Sequence, residues 1–280
     1  MSETGVVIVG AGHAGGTAAA VLRQFGYAGP LTLVGEEPIA PYQRPPLSKA
    51  WLKGEADADS LMLKPESFYA EAGIDLRLGV TATAIDRTAR RVTLSDGRSV
   101  PYAFLILATG ARARALPIPG ADLEGVMSLR SAADAERLKA ALGPGKRLAV
   151  IGGGYIGLEA AASARALGAE AVVIEREPRI LARVACQILS DFFTGYHRAR
   201  GVDFEVGATV EAFEGAAGRV TGVRLADGRT IACDAALVGV GAVANDELAR
   251  AAGLDCVGGV VVDEHARTAD PRVFAIGDVT

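Results

Sequence analysis

The chain has 280 residues, 50% hydrophobic and 22% charged, with 35 glycines and a formal net charge of −4. Such a composition excludes a long disordered segment and provides enough chain for two α/β cores. The mild acidity gives no electrostatic reason to expect nucleic acid or an anionic membrane as partner. Met1–Thr4 is too short for the charged region of a signal peptide, glycines interrupt the apolar run Val6–Val9 at once, and nowhere do 18 apolar residues follow one another. The expected location is cytoplasmic.

Val6–Val9 reads as a buried parallel strand, Ala14–Gly26 as a helix ended by glycine, and Leu31–Val34 as the second strand of a βαβ unit. Between the first strand and the helix, VVIVGAGHAGG places Gly10, Gly12 and Gly15 where they permit a tight turn, close approach to a pyrophosphate and close packing of helix on strand. Glu36 follows at a spacing that suits an adenosine ribose; the alternative is a surface carboxylate beside Glu37. Pro41–Lys49 (PYQRPPLSK) cannot be a helix interior, because its three prolines fix φ and remove donors. It is predicted as a rigid, exposed loop presenting Arg44, Ser48 and Lys49. Leu105–Ala108 is another strand, ending in Thr109 and Gly110, and the proline-bearing stretch ARARALPIPG sets a domain boundary near residue 112.

Gly120–Leu129 reads as a crossing segment, after which the pattern repeats. Leu148–Ile151 is a strand, Gly157–Leu167 a helix and Ala171–Ile174 a strand, with Gly152, Gly154 and Gly157 in LAVIGGGYIGLE and Glu175 at the last strand's end. One such fingerprint is a weak signal, but two imply two dinucleotides in one protein, the arrangement needed to pass electrons between nucleotide cofactors. Thr81–Leu94 and Thr209–Leu225 each precede a DGR turn, Asp96–Arg98 and Asp227–Arg229, and read as small antiparallel layers. The chain leaves the second domain after Leu237–Gly241, and Val273–Ile276 returns to the first sheet, placing Asp278 at a strand's carboxyl end. The predicted fold is α/β, with two Rossmann-like dinucleotide-binding domains at 1–112 with 246–280 and at 113–245.

Cys186, Cys233 and Cys256 are odd in number and widely spaced, which argues against a disulfide framework, a zinc site and the close cysteine pair of a flavoprotein disulfide reductase. His13, His197 and His265 stand apart from acidic or sulfur ligands, so no metal is predicted. Glu175 favours NADH, since a carboxylate accepts from the 2′-hydroxyl and repels a 2′-phosphate; Arg176 beside it is read as solvated. Trp51 and Tyr42 flank the proline loop and either pack against a cofactor or are ordinarily buried, the second being the plainer reading.

With these segments placed, the chain resembles the FAD-dependent, NAD(P)H-using ferredoxin reductases of oxygenase systems, the group of putidaredoxin, rhodocoxin and rubredoxin reductases. The resemblance rests on VVIVGAGHAG at 6–15, PYQRPPLSK at 41–49, ILATGARAR at 106–114, LRSAADA at 129–135, VIGGGYIGLE at 150–159 and VFAIGD at 273–278. It implies a glutathione-reductase-like fold with FAD in the first unit and the nicotinamide dinucleotide in the second. By motif match Gly10, Gly12, Ala14 and Gly15 would surround the FAD pyrophosphate and Glu36 its adenosine ribose. Arg44 and Lys49 would lie toward the cofactor, Ala82 near adenine, Arg130 near the phosphate or flavin, and Asp278 by the ribitol or phosphates, with Thr109 and Gly110 lining the pocket. Gly152, Gly154, Ile156, Gly157 and Glu175 would serve NADH. The resemblance also pairs Lys49 with Glu159 at the flavin, as the catalytic ion pair.

Two departures accompany it. Ala244 stands where the family has proline before Asn245, and the family continues beyond the equivalent of Thr280 into a helix and a C-terminal interface domain, so a chain lacking them is expected to hold FAD weakly. The leading expectation is transfer of hydride from NADH to FAD and of single electrons to a ferredoxin or rubredoxin. The alternatives are an NADH oxidase or a quinone- or nitrite-reductase-linked flavoprotein, and a non-catalytic nucleotide-binding fragment.

Overall fold

The computed structural model describes residues 4–280, and the chain divides into two compact units. The first holds the residues up to Gln43, Ala58–Arg112 and Val243–Thr280; the second holds Arg44–Asp57 and Ala113–Ala242. The proline loop, read from sequence as part of the first domain, therefore packs largely within the second unit.

In the first unit, β1 (Gly5–Val9) and β2 (Leu31–Val34) are buried along their whole length and pair in parallel, with α1 (His13–Gln24) between them. Val6 and Ile8 enter one core with Leu31 and Leu33, while Val7 and Val9 enter another with Leu105, Leu107 and Val273. That alternation explains the unbroken apolar run, because both faces of a parallel sheet are covered. Helices α3 (Ala58–Leu61) and α4 (Glu66–Glu71) lead to β3 (Ile74–Arg77), which pairs with β2. The predicted strand Leu105–Ala108 is the end of a nine-residue strand, β6 (Ser99–Leu107). Its carboxyl half pairs in parallel with β1 and with β17 (Val273–Ala275), and its amino half pairs antiparallel with β5 (Arg91–Leu94), which in turn holds β4 (Ala82–Asp86). One strand thus serves both the parallel sheet and the small antiparallel layer. Arg87, just past β4, ties in the C-terminal segment: it bonds Asp270 at 2.9 Å and the carbonyls of Ala252 and Gly253, which follow α8 (Glu247–Ala251).

The second unit repeats this plan. β8 (Val126–Met127), β9 (Arg147–Ile151), β10 (Glu170–Glu175), β11 (Val202–Val206) and β15 (Ala235–Val238) form a parallel sheet in the order β11-β10-β9-β15-β8, and α6 (Tyr155–Ala166) connects β9 to β10. β12 (Val210–Ala216), β13 (Arg219–Leu225) and β14 (Thr230–Ala232) make its antiparallel layer. The two DGR turns close alike, with Leu94 N–H on Arg98 O and Leu225 N–H on Arg229 O, both at 2.8 Å. Pro45–Ser48 forms one 3₁₀ turn with proline at its first positions, where a missing N–H costs nothing, and α2 (Ala50–Lys53) follows with Trp51 half-buried. α5 (Ala132–Ala140) starts at a reciprocal capping box between Ser131 and Asp134. The chain passes between the units after Gln43 and after Asp57, and again within β7 (Ala111–Ala113) and β16 (Ala242–Ala244).

α7 (Gln187–Arg198) is turned opposite to a simple hydrophobic reading. It buries Ser190 and His197 and exposes Ile188, Phe192 and Tyr196. The Ser190 hydroxyl is satisfied inside, donating to Ile180 O at 2.7 Å and accepting from Arg179 at 2.6 Å.

Candidate functional site

Both glycine fingerprints adopt one geometry. Gly10 and Gly152 have φ of +111° and +109°, and a Cβ on either would collide with a carbonyl of the neighbouring strand's end, Ala108 O or Gly239 O. A Cβ on Gly15 or Gly157 would strike the carbonyl of Gly10 or Gly152, so the helix packs on the turn only without side chains. Gly12 and Gly154 cap α1 and α6, and no side chain caps either helix. The first N–H groups of a helix lack intrahelical partners and carry the positive end of its dipole. Each unit therefore presents an uncapped helix N-terminus beside a glycine turn, which fits a dinucleotide pyrophosphate. A Cβ on Gly154 would meet nothing within 4 Å, leaving room at that cap, and Tyr155 and Ile156 expose apolar surface on the first turn.

Several other predicted residues gather around the first cradle. Gly277, at φ +76°, sits so close to Ala14 that a Cβ there would come within 2.7 Å of the alanine methyl, which brings the Asp278 turn to the start of α1. Thr109 and Gly110 follow Ala108 and are fixed by Asn245: the Thr109 hydroxyl donates to Asn245 O at 2.7 Å, the Asn245 amide donates to Thr109 O at 2.9 Å, and Asn245 N–H donates to Gly110 O at 2.8 Å. Glu36 is exposed, whereas Glu37 accepts from the Tyr42 hydroxyl at 2.6 Å. Ala82 opens β4 two residues after Val80, whose N–H bonds Gly35 O at 3.0 Å.

In the second unit Lys49 and Glu159 are joined directly, Nζ to Oε2 at 2.6 Å, with the lysine side chain 48% exposed and the glutamate 31%. The same Oε2 accepts from the Ser48 hydroxyl at 2.6 Å, and Lys49 also donates to Pro45 O at 3.1 Å. One turn along α6 from Glu159, Ser163 donates its hydroxyl to Ser48 O at 2.7 Å and is buried. The 3₁₀ turn is thus fastened to α6 by Ser48, which the loop was predicted to present, and by Ser163, which sequence reasoning did not single out. The i, i+4 spacing of Glu159 and Ser163 places them on one helix face and was the available signal. Arg44 donates to Arg130 O, and the Arg130 N–H donates to Asp134 at 3.0 Å, so the predicted Arg44 and Arg130 belong to the Lys49 loop and the α5 cap.

Glu175 is engaged more closely than its spacing showed. Its Oε2 accepts Gly153 N–H at 2.6 Å and its Oε1 accepts Glu177 N–H at 2.8 Å. Arg176 points outward, 76% exposed, and pairs with Glu177 at 3.2 Å.

The three cysteines are free thiols. Burial pushes Cys233 up to about 11, and burial also raises Cys256. Among the described residues no cluster of His, Cys, Asp or Glu is arranged to hold a metal, and no helix is long and apolar enough to cross a membrane.

Residues 4–280 match the pyridine nucleotide-disulphide oxidoreductase family. The chain belongs to that family. It is an α/β oxidoreductase chain whose two cofactors are FAD and NADH, as the family resemblance implied. It is 55% identical over 275 residues to a probable ferredoxin reductase, CtmF, of Castellaniella defragrans, covering 98% of this chain and 67% of the relative. It is 46% identical to rhodocoxin reductase of Rhodococcus erythropolis, covering 98% and 64% respectively. Among solved structures it is similar to the reductase in the covalent putidaredoxin reductase–putidaredoxin complex, with 41% identity and a TM-score of 0.94 over 100% of this chain and 68% of that one. The chain therefore spans about two thirds of the length of these relatives.

Proposed function

We propose that this chain forms the nucleotide-binding part of a cytoplasmic NADH-dependent reductase that delivers electrons to a ferredoxin- or rubredoxin-type iron–sulfur protein. The observation that carries the proposal is the pair of uncapped glycine cradles accompanied by the Lys49–Glu159 ion pair. When bound, FAD accepts two electrons with a hydride from NADH and releases them singly. Gly10, Gly12, Ala14 and Gly15 hold the FAD pyrophosphate by backbone approach, Glu36 takes its ribose, and Thr109, Gly110, Ala82 and Asp278 line the rest. Gly152, Gly154, Ile156 and Gly157 do the same for NADH, with Glu175 accepting from its ribose hydroxyls. Lys49, oriented by Glu159 and Ser48, supplies a cation that favours negative charge on the reduced flavin ring; Arg44 and Arg130 steady the loop that carries it. The curated relatives named above are reductases of such electron carriers, and the free thiols suit a reducing compartment.

Lys49→Ala should slow flavin reduction by NADH at least about tenfold, the loss of a charged contact made in the transition state, in rapid-mixing absorbance measurements. Reduction at the unaltered rate would remove Lys49 from the chemistry. Acceleration of NADH oxidation by a panel of ferredoxins, compared with oxygen alone, tests the acceptor.

A further inference from the structure

The two cradles can be placed in register by three matched hydrogen bonds. Gly10 N–H bonds Val34 O at 2.8 Å, as Gly152 N–H bonds Ile174 O at 2.8 Å. Val80 N–H bonds Gly35 O at 3.0 Å, as Ala208 N–H bonds Glu175 O at 3.0 Å. Gly79 N–H bonds Glu37 O at 3.2 Å, as Gly207 N–H bonds Glu177 O at 3.0 Å. Gly35 is therefore the counterpart of Glu175, and Glu36 is the counterpart of Arg176. The acids that follow the second strand of each unit lie one position apart.

The glycine loops compensate for this offset. In the first unit Gly35 has no side chain, and the methyl of Ala11 occupies the adjoining space, so that a Cβ on Gly35 would overlap it. In the second unit the exchange is reversed: Gly153, the counterpart of Ala11, has no side chain, and the Glu175 carboxylate fills the space and accepts its N–H. A Cβ on Gly153 would stand 3.2 Å from Glu175 Oε2 and 2.9 Å from Ile180 Cγ2. Its backbone is outside the left-handed region, so what opposes an alanine is space, with Ile180 and Glu175 the nearest neighbours. The position matching Ile180 is Ala40, five residues past Gly35, and both are buried.

We infer that Gly153 is a specificity-determining residue for the nicotinamide dinucleotide. It admits Glu175 to the position that the first unit leaves to glycine, and its N–H together with that of Glu177 clamps the carboxylate in place. A carboxylate fixed before binding loses little side-chain freedom when it meets a ribose hydroxyl and keeps its charge against a 2′-phosphate. Position 153 thus decides which of the two residues after the strand carries the acid. The inference rests on the proposed use of NADH, but the pairing of 153 with 175 stands on the fold alone.

The test uses the whole chain, in its natural form and with Ile180→Ala to remove the second contact. Gly153→Ala should weaken NADH by at least about tenfold in a fluorescence titration, the loss of a charge-assisted contact. Adding Glu175→Gly and Arg176→Glu, which rebuilds the first unit's Ala–Gly–Glu arrangement, should recover affinity to within about threefold of the background. Melting temperatures should show the same coupling without nucleotide: Gly153→Ala should lower the melting temperature when Glu175 is present and lower it less when position 175 is glycine. Unchanged NADH affinity in Gly153→Ala, or no recovery in the rebuilt variant, would overturn the specificity role. Additive melting shifts at 153 and 175 would overturn the pairing. If the unaltered chain took up no NADH, the proposed activity would fall, while the melting-temperature cycle would still decide the pairing.

Discussion

The glycines of the two cradles do different jobs, and a single methyl group separates them. At Gly10 a Cβ would collide with Ala108 O and the φ of +111° is one that side chains rarely adopt, so Gly10→Ala should cost at least about 3 kcal/mol and appear as a lowered melting temperature or loss of soluble protein. At Gly154 the φ is −82° and the added methyl would meet nothing within 4 Å. Gly154→Ala should therefore lower the melting temperature far less than Gly10→Ala, by the modest cost of alanine at an N-cap, and weaken NADH binding by about tenfold, because the methyl lies at the proposed approach of the pyrophosphate to the helix N-terminus. Parallel losses of stability and binding in both variants would contradict this division. Lys49 and Glu159 illustrate the limit of reading residues singly. A lone lysine is ordinarily solvated, but here it shares one carboxylate oxygen with Ser48 at 2.6 Å, which fixes the ammonium on a 3₁₀ turn.

Elements were legible where both faces of the sheet are buried. β2 falls on the predicted residues, and α1 ends two residues before the predicted Gly26 because Gly26, at φ +84°, turns the chain back, with its N–H on Arg23 O and the Tyr27 N–H on Leu22 O. α7 was not legible from its apolar residues. Its inner face is fixed by polar contacts of Ser190 that no periodicity displays, while Ile188, Leu189, Phe192 and Tyr196 face outward. The crossing segment Gly120–Leu129 contains only the two-residue strand β8, held by Ala236 and Leu237 of β15. α5 supports a quantitative prediction. Ser131 accepts Asp134 N–H at 3.1 Å, while Asp134 accepts Ser131 N–H at 2.9 Å. Ser131→Ala should cost about 1 kcal/mol in denaturant unfolding. Because Asp134 also receives Arg130 N–H at 3.0 Å, the variant should loosen the Arg44–Arg130 contact as well.

At the scale of the whole molecule, each unit depends on chain that returns from far along the sequence. In the first unit β17 completes the parallel sheet beside β6, and the Arg87–Asp270 pair holds the approach to it. Partial burial pushes the Asp270 carboxyl up, but the Arg87 hydrogen bond and the Arg272 N–H outweigh it and leave its pKa below the ordinary carboxylate value. A carboxyl group with a lowered folded pKa contributes stability that is complete above its unfolded value, about 3.9, and is lost as pH falls through the folded value. Melting temperature should accordingly drop as pH falls below about 4, and Asp270→Asn should lower it at neutral pH and flatten that acid limb. An acid limb as steep in the variant as in the natural chain would rule out Asp270 as a contributor.

The residues alone carried the doubled βαβ plan, the position of both glycine turns and the antiparallel layers before each DGR turn, whereas the Lys49–Glu159 pair came from the family resemblance. The first three are set by local chemistry: a glycine needed at positive φ, a β-branched run buried on both faces, a proline that closes off a helix. Only the tertiary structure decided which unit the proline loop joins, which way α7 faces, and that Glu175 is clamped by Gly153 while Glu36 stands one position further on. Those outcomes depend on which side chain fills a gap between strands brought together from distant parts of the chain, and spacing along the sequence carries no record of that competition for space.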